Sequence, residues 1–596
     1  MHFGIEDYAL IGDCETAALV SRTGSIDWLC LPRFDSEACF AALLGSPENG
    51  RWQIAPTGKA RVTRRYRPGT LILETRFRSR TGAVTLIDFM PLRKSHPQLI
   101  RILRCDSGRV RIKTELVIRF DYGRTVPWVT RESDGSITAI AGPHLLFHSS
   151  GVPVEGERLR TVSEFVIRKG QTVRFDLQYS DSVQRHRVRT DPGTALRRTQ
   201  ADWCKWSCRC TYKGPFAEAL ERSLITLKAL TYAPTGGVLA AATTSLPEQP
   251  GGERNWDYRY CWIRDATFTL LAFIHAGYHH EASRWRAWLA RSAAGSPDQL
   301  QVLYGVAGER NLLEWQVPWL SGYRGASPVR VGNAASTQLQ LDIYGELADA
   351  LYQDGHSSPT ILRKNLDFEF GLLQELSRIW HTPDHGIWEV RGPERHFTHS
   401  KVMIWVAFDR ILKRFERADL NAPFAEWRAL REKIHDDVCR HGFDKKLNSF
   451  VQYYGSQQAD ASLLLIPLVG FLPPSDPRIV GTVRFIEKQL LRGGLVRRYQ
   501  TAHTDDGLRG SEGAFLPCSF WLADNYELLG RHADAERLLR RLLKLRNDVG
   551  LLSEEYHLQH KCLVGNFPQA FSHVGLVNTI MNLYRPRGGP AHQRSS

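Results

Sequence analysis

From about residue 215 onward, apolar residues recur with the 3.6-residue period of helices, and the gaps between these helices alternate strictly between short and long. Twelve helices are predicted, at about 215–232, 264–278, 280–294, 336–354, 359–378, 400–417, 422–439, 460–470, 476–491, 512–529, 531–546 and 568–584. The links within five pairs are only a few residues (His279, HSSP, DLNA, LPPS, Gly530), and the six others run to roughly 20–40 residues. Short links force successive helices to run antiparallel, so every long link emerges at the same end. Six hairpins of this kind can close into a ring with all the long loops around one mouth. The helix that directly follows each long link, such as KVMIWVAFDRI or DASLLLIPLVGF, is the more apolar and should face inward. Its neighbours, such as HADAERLLRRLLKLR, carry wide charged faces and should lie outside.

The first third of the chain has a different rhythm. Runs such as RVTRRYRPGTLILETRFRSRTGAVTLIDFMP alternate apolar and polar residues, with TG, SG and DG turns between them. That is the pattern of antiparallel strands joined by hairpins, and several at this spacing imply a β-sandwich. The expected division is a β-sandwich over 1–195, a helical linker over 196–214, an (α/α)6 barrel over 215–586 and a disordered tail over 587–596.

If the long links share one mouth, chemistry should be sought in them. The link before the second helix, ERNWDYRYCWIRDATF, gathers Trp256, Asp257, Tyr258, Trp262, Arg264 and Asp265. Flat aromatic faces suit sugar rings, and Arg and Asp make the paired hydrogen bonds that fix vicinal hydroxyls. The next adds Trp315, Trp319, Tyr323 and Arg330 as pocket walls. The third, HGIWEVRGPERHFTHSK, sets Glu389 between Trp388 and a basic cluster that includes Arg391. An acid pressed against an indole should have its charged form disfavoured by desolvation and so hold a proton at neutral pH. The fifth contributes Arg509 and Glu512, the latter as fit for a capping network as for substrate contact. The last, GLLSEEYHLQHK, offers Glu554 and Glu555, either of which could be the second carboxylate. An acid and a base at one aromatic rim describe a glycosidase acting on a small or exo-bound sugar.

Other classes fit less well. No nucleophile elbow, Walker loop or dinucleotide fingerprint is present. A polysaccharide lyase on a helical toroid would leave the two Glu loops without a role. The formal charge of +15 comes from scattered Arg rather than a basic block beside aromatic platforms, so a nucleic-acid partner is not expected. Cys204, Cys208 and Cys210 lack a fourth ligand at suitable spacing, and neither metal nor cofactor is expected. The acidic start MHFGIEDYALIGD does not read as an export signal, no apolar run could span a bilayer, and eleven Cys agree with reduced thiols. A cytoplasmic address, a small sugar as partner and no membrane follow; association into homo-oligomers stays open.

NWDYRYCWIRDA, GIWEVRGPERHFTHSKVMIWVAFDR and LLSEEYHLQHKCLVGNFPQAFSH closely resemble glycoside hydrolase family 15, which includes glucoamylases and bacterial trehalases. The N-terminal YALIGDCETAALVSRTGSIDWLCLPRFDS resembles the first domain of the bacterial members, so the likeness covers nearly the whole chain. It implies a β-sandwich followed by an (α/α)6 barrel, and inverting hydrolysis of α-glucosides from the non-reducing end. It implies Glu389 as general acid, Glu554 as the base that activates water, and Tyr258, Trp262, Arg264 and Asp265 as the grip on the terminal glucose. Glu555 stands where glucoamylases have Gln, as in the trehalase-like members. Trehalose is the expected substrate. The alternatives are maltose, isomaltose or malto-oligosaccharides, an inverting disaccharide phosphorylase, or a non-catalytic sugar-binding protein.

Overall fold

The structure is a computed structural model that describes residues 4–353, 359–417, 423–585 and 589–591. The short links HSSP and DLNA and most of the expected disordered tail lie partly or wholly outside the described residues.

The N-terminal region is antiparallel β-structure throughout, organised by one strand of 20 residues, Gln98–Val117. Its first half pairs with Gly82–Phe89 and Thr172–Asp181, and its second half with Arg51–Pro56 and Arg160–Arg168. The strand thus belongs to both layers of the sandwich. Gly108 lies at the crossing with φ 66°, and a Cβ there would sit 2.1 Å from the Thr81 carbonyl, so only glycine fits. The alternation read from the sequence is visible in Leu73–Arg78, where Leu73, Thr75 and Phe77 are buried while Arg76 and Arg78 face water.

Helix α1, Pro192–Ser207, joins the two regions. Asp191 caps it by accepting from the Thr194 N–H at 2.8 Å. It buries Trp203 and Trp206, and the Trp206 indole stacks on Tyr278 and donates to Glu281 at 2.7 Å.

Among the described residues twelve helices follow: α2 Ala217–Ala229, α3 Arg264–His275, α4 His279–Ser292, α5 Asp342–Tyr352, α6 Pro359–Ile379, α7 Thr398–Arg417, α8 Phe424–His441, α9 Leu465–Leu468, α10 Pro477–Gln489, α11 Leu516–Leu528, α12 His532–Leu543 and α13 Ala570–Tyr584. Helix α3 packs on α5, α5 on α7, α7 on α9, α9 on α11, α11 on α13, and α13 back on α3. These six close the inner ring, and they are the helices whose apolar sequences pointed inward. Every residue from 570 to 582 of α13 is buried, whereas α12 buries only one stripe, from Ala535 to Leu543.

The largest departures from the sequence reading fall at three helices. The helix expected at 460–470 is a 3-10 turn, Ala461–Leu464, running into the four-residue α9; Pro467 cannot donate a helical hydrogen bond. The expected start at 512 moves to Leu516, where Pro517 occupies the first turn. The expected start at 336 moves to Asp342, after a separate 3-10 turn, Ala334–Thr337. Among the described residues, no helix is long and apolar enough to cross a membrane.

Candidate active site

At the mouth of the ring a narrow cavity is lined by, among others, Glu248, Trp256, Tyr258, Trp388, Glu389 and Arg498. Glu389 reaches it from a tight loop closed by Asp384 and Arg395, which exchange backbone hydrogen bonds of 2.9 and 2.8 Å. Gly386 lies against the Phe397 ring, leaving no room for a Cβ, and Glu389 itself sits at φ 50°. A left-handed backbone at a non-glycine residue costs about 1 kcal/mol and is retained where the surrounding structure fixes it, most often at functional positions.

The Glu389 carboxylate is held through one oxygen. Oε1 accepts from the Trp262 indole at 3.0 Å and from Arg264 Nη1 at 2.7 Å. Arg264 also donates to the Ile387 carbonyl and to Asp265, which fixes it beneath the loop. The expected apolar setting against Trp388 is not what is found. The Trp388 indole N–H turns away and donates to Asp460 at 2.9 Å, and the nearest charge to Glu389 is a guanidinium. Both hydrogen bonds fall on Oε1.

The second carboxylate lies deeper. Glu554 is fully buried; Oε1 accepts from the Tyr258 hydroxyl at 2.7 Å and Oε2 from the Asn566 N–H at 3.0 Å. A Cβ at Gly565 would fall 2.6 Å from that carboxylate, so the glycine makes the space for it. Tyr258 and Trp262 touch edge to face at 5.2 Å, so one aromatic pair spans the gap between Glu389 and Glu554.

Glu555, unlike Glu554, is not the acceptor from the Tyr258 hydroxyl. Its carboxylate accepts from the Gly513 N–H at 2.7 Å and lies 3.3 Å from Arg498. Arg498 further donates to Glu512 at 2.5 Å and to Glu248 at 2.8 Å. Burial, and then the charge of neighbouring Glu248, pushes the proton affinity of Glu554 and of Glu555 well above the usual carboxylate range. Glu248, Glu554 and Glu555 are the only group among the described residues with metal-ligand spacing, their oxygens lying within 4.8 Å of one another. The Arg498 guanidinium already bridges two of the three.

Other residues singled out in the sequence divide clearly. Trp256 lines the cavity, its indole donating to Glu248 at 3.1 Å and its face covered by Arg391 at 4.3 Å. Arg391 lines it too, held by Glu314 at 2.6 Å. Asp265 stays behind Arg264, and Glu512 serves Arg498. Trp262, Arg264, Asp265, Glu512, Glu554 and Glu555 stand behind the lining of this cavity, and four further residues are engaged elsewhere. Asp257 is consumed by a buried bidentate pair with Arg259, two residues on, and by the Gly332 N–H. Trp319 donates to the Tyr122 carbonyl of the sandwich. Tyr323 is buried on a 3-10 turn beside that same region. Arg509 is exposed, its backbone tied to Glu253. Sequence reasoning missed Glu248 and Arg498. Glu248 sits in LPEQPGG, a stretch without periodicity, and its one available signal was its position in a long link.

A family model described as glycosyl hydrolases family 15 matches residues 214–581, and one described as trehalase-like, N-terminal, matches residues 2–201. The chain is 38% identical to a protein named trehalase from Mycobacterium tuberculosis, over 98% of this chain and 90% of that one. It is 34% identical to a trehalase from Thermoplasma volcanium, over 97% and 93%. Among solved structures it resembles a bacterial glucoamylase complexed with acarbose, with a TM-score of 0.71 and 12% identity over 97% of this chain and 94% of that one, a likeness of fold.

Proposed function

As the chain belongs to glycosyl hydrolases family 15 and is a glycoside hydrolase, we propose that its substrate is trehalose and that Glu389 and Glu554 carry the reaction. One observation supports the pairing above the rest: two carboxylates more than 160 residues apart in sequence are each hydrogen-bonded to one member of the Tyr258 and Trp262 pair. In this reading Glu389 Oε2 gives its proton to the glycosidic oxygen as the bond to the anomeric carbon breaks. Water attacks that carbon from the opposite face and passes its proton to ionised Glu554, inverting the configuration. The positive charge that develops on the sugar is met by the carboxylates below it.

Trp256, Tyr258, Trp388 and Arg391, all on the cavity wall, supply the surface for the sugar rings. Trehalose is preferred over maltose or isomaltose because similarity to the proteins named trehalase extends through both regions of the chain. All eleven cysteines are free thiols, which supports a reducing, cytoplasmic setting.

The test is product analysis by proton NMR during turnover of trehalose, maltose and isomaltose, with and without inorganic phosphate. Inverting hydrolysis of trehalose releases one β-glucose and one α-glucose per bond cleaved. Glucose 1-phosphate as product, or faster turnover of maltose than of trehalose, would overturn the substrate reading.

A further inference from the structure

Glu248 lines the cavity in which Glu389 sits, yet the hydrolytic scheme above assigns it nothing. It is 1% exposed, and both of its oxygens are bonded: Oε1 accepts from the Trp256 indole and Oε2 from Arg498. A loop contact brings it beside Glu554, since the Gly565 N–H, next to the Glu554 carboxylate, donates to the Pro247 carbonyl at 2.8 Å.

The two acids are not equally supported. Glu248 receives a charge-assisted bond from a guanidinium and a second from an indole, both of which favour its ionised form. Glu554 receives only a phenol and a backbone amide. The surroundings add more acids than cations. Glu555 and Glu512 come from the loops before α13 and α11, and Asp506 from the loop after α10, while Arg498 and Arg254 are the guanidiniums that face them. Tyr258 and Tyr499 complete the ring of titratable groups, with Glu389 beyond Tyr258. Among side chains buried this deeply and this close together, like charges cannot all form. The Arg498 guanidinium lies against Glu512 and Glu248, so the negative charge settles first on those two and not on Glu554.

We infer that Glu248 is a positioning residue for hydrolysis: its ionised carboxylate, anchored by Arg498 and Trp256, makes neighbouring Glu554 a stronger proton acceptor than a buried glutamate with neutral neighbours would be. A base of ordinary carboxylate strength is a poor acceptor for a proton from water at neutral pH, and proton transfer improves as the acceptor's affinity approaches the working pH. The cost is that Glu554 holds a proton, and is inactive, over a wider acid range. This inference rests on the assignment of Glu554 as base.

The experiment is the pH profile of kcat/KM for glucose release by the full-length wild type, Glu248→Gln and Glu248→Asp. In Glu248→Gln the charge beside Glu554 is gone, so the acid limb should move to lower pH, by about 1 unit or more, while the plateau rate falls. Glu248→Asp keeps the charge, and its limb should stay near that of the wild type. A limb that stays in place in Glu248→Gln while the plateau drops would mark Glu248 as merely structural, and a rise in KM alone would mark it as a sugar contact; either overturns the inference. Should Glu248→Gln not fold, the wild type still decides, because an acid limb in the ordinary glutamate range of about 4–5 excludes the effect. Absence of any α-glucoside hydrolysis by the wild type would instead sink the functional assignment beneath it.

Discussion

The two loops that carry Glu389 and Glu554 give one chemical group opposite surroundings. Glu389 is partly exposed and its companions are donors, Arg264 and Trp262, gathered on one oxygen. Glu554 is fully buried, and beyond Tyr258 and Asn566 its neighbours are other carboxylates. The contrast teaches that division of labour between identical side chains need not follow from depth alone. At the shallow end a guanidinium and an indole hold one carboxylate oxygen and leave the other to the proposed proton donation. At the deep end burial, and then the charge of neighbouring Glu248, raises the proton affinity of Glu554, as the proposed base would need.

That comparison can be broken most directly at its two poles. Glu389→Gln and Glu554→Gln should each lower kcat on trehalose by about 10²–10⁴-fold, with circular dichroism unchanged. If Glu554→Gln were to retain near-normal turnover while Glu248→Gln lost it, the deep pole would have to be reassigned to Glu248. Next in size is the clamp on the shallow side. Arg264 is 6% exposed and serves Glu389, Asp265 and the Ile387 carbonyl together. Arg264→Met leaves two carboxylates without their cation and should cost about 3–5 kcal/mol of stability in urea titration. A loss below about 1 kcal/mol would mean the pair is dispensable to the fold.

Tyr258→Phe sharpens the deep side, removing the hydroxyl that donates to Glu554 while keeping the ring. A hydrogen bond to a charged group is worth about 1.5–3 kcal/mol, so kcat should fall by about 10–100-fold with little change in thermal midpoint. The smallest effect lies between the poles. Trp388→Phe removes one donor from Asp460, which keeps Ser462 and Gln452, and should cost about 1 kcal/mol of stability.

How far the sequence foretold this follows from the range of each interaction. The ring of helices was legible because its determinants are local: apolar period, link length and the inward bias of segments such as Ala570–Tyr584. Glu389 stood out as a candidate because it lies in a long link beside Trp388, whereas the residues alone left Glu554 and Glu555 undecided. The network around Glu248 was not, since its partner Arg498 is 250 residues away and no local pattern marks either residue. Asp257 misled for the converse reason. It lies among true cavity residues, yet Arg259 two positions later takes up its carboxylate, so neighbours in sequence face opposite ways. Trp319 and Tyr323 sit in a long link, as cavity residues should, but that link folds back against the sandwich instead of closing over the mouth.

Arg259 also shows where the barrel's first active-site segment is moored. Its guanidinium bonds to the Ser36 carbonyl and the Tyr122 hydroxyl, and nearby the Trp28 indole donates to the Ala242 carbonyl. Tyr258 and Trp262 lie within a few residues of these anchors. The β-region is therefore scaffolding for the reaction centre and not an appendage, and a barrel expressed without it would lose the footing on which its aromatic pair is aligned.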